Sequence, residues 1–137
     1  MRYDAKTNTY LQSKNDCVIV SISNFLKLDY ARVIKSLYDI GGMTAIERLP
    51  KRGVLTPDIG KMLENLTNTK WVIKTPRRGQ DKFVGFASWH VPNRRKGHMT
   101  IIIGNVIKDT DGNTYNSLEE YRVKYNYVLR GIFTPEI

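Results

Sequence analysis

The sequence predicts an α+β domain with helices first and an antiparallel sheet after them. Three observations carry this. Apolar residues recur at helical spacing in the first half, between about residues 16 and 68. Short alternating or β-branched runs punctuated by Pro, Gly and Asn fill the second half, between about 71 and 133. The two patterns are segregated rather than interleaved, which is the order of an α+β domain with helices packed on a sheet.

Residues 1–12 are polar with no clear period and read as extended or irregular. Asn15 and Asp16 are N-cap residue types. They precede an apolar run, Cys17, Val18, Ile19, Val20, Ile22, Phe25, Leu26 and Leu28, which suits a helix buried on most sides. Asp29 is a second cap. Tyr30, Val33, Ile34, Leu37 and Tyr38 follow helical spacing, and Gly41-Gly42 is expected to end that helix. Residues 43–55 read as a basic loop. Thr56-Pro57-Asp58 opens a third helix, with Ile59, Met62, Leu63 and Leu66 along one face to Asn68.

Strands are expected at Trp71–Lys74 and Lys82–Val91, closed by Pro76 and Pro92. Met99–Ile103 and Val106–Asp109 flank Gly104-Asn105, a two-residue hairpin turn. Asp111-Gly112-Asn113 is a further turn, and Ser117–Glu120 would open a single helical turn. From Tyr121 to Leu129, tyrosines and apolar residues alternate with polar ones, as in a half-buried strand.

A chain of 137 residues with 41% hydrophobic content can build one domain, here taken as residues 1–137. No apolar run approaches the roughly 18–20 residues of a membrane span, and Met1-Arg2-Tyr3-Asp4 does not start a signal peptide. The expected compartment is the cytoplasm, where a single cysteine stays reduced. One cysteine also excludes an internal disulfide. With His90 and His98 eight residues apart and no close carboxylate pair, no zinc set or other cofactor site is expected.

The net charge of +9 favours an acidic partner. Arg77-Arg78 and Arg94-Arg95-Lys96 are the basic clusters. Each reads either as a solvated loop or as a contact surface for an acidic protein. Nucleic acid is a less favoured partner. Tyr121, Tyr125 and Tyr127 with Arg122 and Lys124 are the nearest stacking candidate, although their alternation suits tyrosines turned toward a core.

The chemistry centres on Cys17. A cysteine in the first turn of a helix faces the positive end of the macrodipole, which favours the nucleophilic thiolate. A buried structural cysteine is the plainer alternative. Gln12, five residues earlier, offers a side-chain amide that, with the Cys17 backbone N–H, could receive an oxyanion. The proton acceptor must be one of two histidines. In the register set by a Gly104-Asn105 turn, Ile103 faces Val106, Ile102 faces Ile107 and Thr100 faces Asp109. His98 is then a diagonal neighbour of Asp109, about 7–8 Å away between backbones. Asp111 lies opposite His98 in that register and is a rival orienting group, with a turn role as its alternative. His90 has no acid at comparable spacing. Phe86 and Trp89 read equally as cleft walls or core.

Taken together, Asn15–Ile22, Leu28–Ile34, Arg52-Gly53-Val54, and Gly97-His98 through Asn105–Thr110 resemble small phage and bacterial proteins with a papain-like, peptidase C39-like core. The glutamine stands one residue closer to the cysteine than in many papain-like enzymes, and bulky Val18, Ile19 and Val20 follow where small residues are common. The resemblance implies Cys17 as nucleophile, His98 as base, Asp109 as orienting acid and Gln12 in the oxyanion hole. It implies a cysteine peptidase or isopeptidase acting on a protein or peptide through an acyl-enzyme. A non-catalytic binding protein on the same fold, docking on an acidic host protein or nucleic acid through its basic surface, is the alternative.

Overall fold

A computed structural model describes residues 1–76, 82–93 and 97–136. A small hairpin comes first: β1 (Arg2–Asp4) pairs with β2 (Thr9–Leu11). Three helices follow, α1 (Cys17–Leu26), α2 (Tyr30–Arg52) and α3 (Thr56–Thr67). The second half holds β3 (Trp71–Lys74), β4 (Phe83–His90), β5 (Gly97–Gly104), β6 (Val106–Lys108), β7 (Thr114–Tyr115), α4 (Leu118–Tyr125) and β8 (Val128–Pro135). The six later strands form one antiparallel sheet in the order β3-β8-β4-β5-β6-β7. No helix among the described residues is long and apolar enough to cross a membrane.

The sheet separates two apolar layers. On one face Phe86, Met99, Ile101, Phe133 and Trp71 pack with Ile19 and Ile22 of α1, Val33 and Leu37 of α2, and Met62 and Leu63 of α3. On the other, Ala87, Trp89, Ile102, Ile107 and Ile132 pack with Tyr115 and with Tyr121 of α4. Neighbours along a strand, such as Phe86 and Ala87 or Ile101 and Ile102, belong to opposite layers, as the two-residue period of a strand requires. Ile19 and Ile22 are fully buried, each worth about 1.5–3 kcal/mol relative to exposure. Helix α1 is also pinned to the sheet by a hydrogen bond from Ser21 Oγ to the Met99 carbonyl, at 3.2 Å.

The predicted hairpin forms in the expected register, Ile103 opposite Val106 and Ile102 opposite Ile107. Of the two turn residues only Gly104 has a positive φ, 66°. That is the type II′ arrangement, with glycine at the first central position.

Three expectations fail locally. Residues 43–52 are helical, not a loop. Helix α2 kinks at Gly42, whose backbone leaves the helical region (φ 66°, ψ −163°), and then resumes. Ala45 and Leu49, one turn apart, are buried against the helical core, and that packing outweighs the weak helix signals of Pro50 and two glycines. The second failure is Tyr121–Leu129, whose first part is helix α4. The Ser117 hydroxyl accepts from the Glu120 N–H and the Glu120 carboxylate from the Asn116 N–H, a cap that carries the helix to Tyr125. Leu118, Tyr121 and Tyr125 also lie at i, i+3 and i+7, so the same residues satisfy a helical period. Third, the strand begins only at Val128. It runs to Pro135 as β8, an inner strand between β3 and β4, beyond Leu129 where the expected alternation ends.

Phe86 and Trp89 belong to the core, each 0% exposed; the Trp89 indole N–H donates to Thr100 Oγ1 at 3.0 Å. They are not cleft walls. Tyr121, fully buried, cannot stack on a nucleic acid.

Candidate active site

Cys17 is the first residue of α1 and is buried, with 9% of its surface exposed. Asp16 holds the cap position, but its side chain does not cap the helix. It accepts instead from the Ser13 N–H (2.8 Å) and the Tyr30 hydroxyl (2.9 Å), tying the segment before Cys17 to the start of α2. Burial and the Asp16 carboxylate raise the Tyr30 pKa, so the phenol stays a donor. Asn15 donates to the Pro50 carbonyl at 2.7 Å, which brings the far end of α2 alongside.

His98 enters from the second residue of β5, next to the Met99 carbonyl that anchors α1. Its Nε2 meets Asp109 Oδ1 at 2.7 Å. The Cys17 side chain lies close enough to the ring to act on its proton as a hydrogen-bonding and charged neighbour. With Nε2 taken by Asp109, Nδ1 is the nitrogen left to face the sulfur. Both side chains of the His98–Asp109 pair are largely buried, 14% and 7% exposed. Burial alone would push the ring toward neutrality. Hydrogen bonds to Asp109 and Cys17, and the charges of both, outweigh it and push the His98 pKa up to about 10.

Asp109 follows β6 and is locked into the 109–113 turn. Its N–H donates to the Asn113 carbonyl, and its carbonyl accepts from the Gly112 N–H. Oδ1 also accepts from the Thr110 N–H (2.7 Å), and Oδ2 accepts from the Tyr121 hydroxyl (2.9 Å). Burial works against the charged carboxyl, but His98, the Thr110 N–H and Tyr121 together hold its pKa below the ordinary carboxylate range. Asp111, the rival orienting group, is exposed and bonded to the Asn113 N–H and side-chain amide; its place is the turn.

Gln12 arrives just after β2. Its backbone N–H donates to the Thr110 carbonyl at 2.8 Å, and its side-chain oxygen accepts from Thr110 Oγ1 at 2.5 Å. With the oxygen end so held, the Nε2 end has no partner among the described residues and is free to donate. Cys17, His98, Asp109 and Gln12 all line one cleft of about 380 Å³, together with Arg52, Arg130 and Tyr127.

His90 lies elsewhere in chemical terms. Its Nδ1 accepts from Arg130 Nη2 at 2.9 Å, and no carboxylate among the described residues orients it. Tyr121, Thr110 and Arg130 are site residues that sequence reading missed. Arg77, Arg78, Arg94, Arg95 and Lys96 lie outside the described residues. Among the described residues no group of three His, Cys, Asp or Glu side chains could hold a metal ion. No family model and no curated protein sequence matches the chain.

Proposed function

We propose that this protein is a cysteine hydrolase of papain-like type, acting on a peptide or isopeptide carbonyl. The observation that carries the reading is the His98–Asp109 hydrogen bond with Cys17 beside the same ring, at the wall of an open cleft. A nucleophile, a base within hydrogen-bond reach of it and a third group that orients the base form the recurring arrangement of acyl transfer.

In the reaction, the Cys17 sulfur attacks the carbonyl carbon as its proton resides on His98 Nδ1. The C=O electron pair moves onto oxygen. The Cys17 backbone N–H, one of the unpaired donors at the start of α1, and Gln12 Nε2 receive that oxyanion. As the tetrahedral centre collapses, the C–N bond breaks and His98 gives its proton to the departing amine. The remaining thioester is opened by water, which loses a proton to His98, and the acid product leaves with the thiol restored. Asp109 keeps Nε2–H fixed and stabilises the charged ring throughout. The free cysteine suits a reducing compartment such as the cytoplasm.

The test is labelling. A peptidyl vinyl sulfone should add its mass at Cys17, and Cys17→Ala should abolish the adduct. His98→Ala should slow labelling by about a hundredfold or more, the scale of general-base loss. A protein that leaves Cys17 unmodified by such probes while remaining folded is a binding protein and not a hydrolase.

A further inference from the structure

We infer that Arg130 makes the cleft selective for substrates that carry a carboxylate close to the bond being cut. This rests on the hydrolase reading above and adds its substrate class.

The backbone supplies the first argument. In the β4–β8 pairing Ser88 lies opposite Gly131 and Trp89 opposite Leu129, so consecutive residues of β4 face residues two apart on β8. The extra residue is Arg130, at a β-bulge. Bulges disrupt the ladder locally and re-aim a side chain. Here the re-aimed side chain lines the same cleft as Cys17 and His98.

The second argument is how the guanidinium is held. Nη2 donates to His90 Nδ1 at 2.9 Å. The group also lies over Gly97, the residue before His98. A Cβ on Gly97 would sit 3.2 Å from Arg130 Nη1 and 3.9 Å from Cζ. Glycine therefore leaves the room that lets a cation lie beside the base. His90 acts through Arg130 as a positioning residue, accepting one of its five N–H donors without cancelling its charge.

Charge supplies the third. Both carboxylates of the cleft are engaged, Asp109 by His98, Tyr121 and the Thr110 N–H, and Asp111 by Asn113. Arg130 and Arg52 also line the cleft. The charges of His98 and Cys17 offset each other, so the two arginines are the cations of the cleft left without a carboxylate partner among the described residues. Arg130 presents a planar fork that matches a carboxylate.

Three epoxysuccinyl–peptide probes differing at one group test this. One is neutral throughout, one has Glu for Gln, and one has a free terminal carboxylate for the amide. The rate of mass addition at Cys17 is measured for each and divided by that of the neutral probe. One carboxylate probe should react about tenfold faster or more, the scale of a charge-assisted hydrogen bond, and which one does so identifies an acidic side chain or a chain terminus as the source. Arg130→Glu should bring the ratio to one or below. His90→Ala should reduce it, and His90→Gln, which keeps an acceptor, should restore most of it. Ratios near one in the native protein, or a preference that persists in Arg130→Glu, overturn the inference alone. If no probe labels Cys17, the hydrolase reading falls and this inference with it.

Discussion

Replacing Asp109 with Asn tests the electrostatics that the whole site depends on. His98 is pushed from 6.5 up to about 10 because Asp109 and Cys17 together outweigh burial. Below about 6.5 the ring is protonated in the folded and the unfolded chain alike, and its full contribution to stability is present. Between 6.5 and about 10 the folded ring keeps a proton that the unfolded ring has lost, so stability falls as pH rises. Above about 10 the contribution is gone. The ring's contribution is lost at no more than roughly 1.4 kcal/mol per pH unit, and at less wherever the unfolded cysteine still holds the proton that His98 holds in the folded pair. Asp109→Asn removes one of the two charges that hold the proton and leaves Cys17 alone to oppose burial. The His98 midpoint should move down, and the stability lost over that pH interval should shrink. Only two histidines are present, so NMR titration of the imidazole carbons reads both, and His90→Gln assigns them. Urea unfolding at pH 6.5 and at pH 10 supplies the energies. A native His98 midpoint in the ordinary histidine range, or one that Asp109→Asn leaves in place, would refute the reasoning.

Three other substitutions probe the supports of the site. Tyr121→Phe deletes the donor to Asp109 Oδ2; it should cost about 1.5–3 kcal/mol in urea unfolding and shift the pH profile of Cys17 alkylation, whereas an unmoved profile would reduce Tyr121 to packing. Gln12→Ala should weaken a peptide aldehyde, whose adduct carries the oxyanion, by about tenfold or more. Thr110→Val, which frees the Gln12 amide to turn, should weaken it less; equal aldehyde affinity in all three proteins would remove Gln12 from the oxyanion hole. Asp16→Ala strips the acceptor from the Ser13 N–H and the Tyr30 hydroxyl and should lower stability by about 2–4 kcal/mol in a thermal melt.

Much of the site was legible in the sequence because it rests on local signals. The Gly104-Asn105 turn sets a register, and the two-residue period of β5 then brings His98 to the side of Asp109 without any knowledge of the rest of the chain. The turn role of Asp111 follows from the Asp-Gly dipeptide. The segments that misled are those where two periods coexist or where packing decides. Leu118, Tyr121 and Tyr125 form a helical face while Tyr121, Val123 and Tyr125 form an alternating one, and only the Ser117 cap favours the helix. Residues 43–52 lack a cap and contain Pro50; their helix depends on the burial of Ala45 and Leu49 against elements distant in sequence. Arg130 was hidden for a further reason. Its orientation comes from a mismatch between two strands forty residues apart, which no single segment encodes.

The pin between Ser21 and the Met99 carbonyl has a consequence for how the candidate site is assembled. The thiol belongs to the first helix, while the ring and the carboxylate belong to a hairpin near the other end of the chain. The Gln12–Thr110 bonds close almost the same span. Neither half carries the site alone, and the joining contacts are among the most nonlocal in the molecule, the kind that form late in folding. Cys17 should therefore stay chemically ordinary on a nascent or partly folded chain and acquire its neighbours only when α1 docks on β5. The timing of that docking can be followed during refolding by pulses of a thiol reagent, with the cysteine itself as the clock.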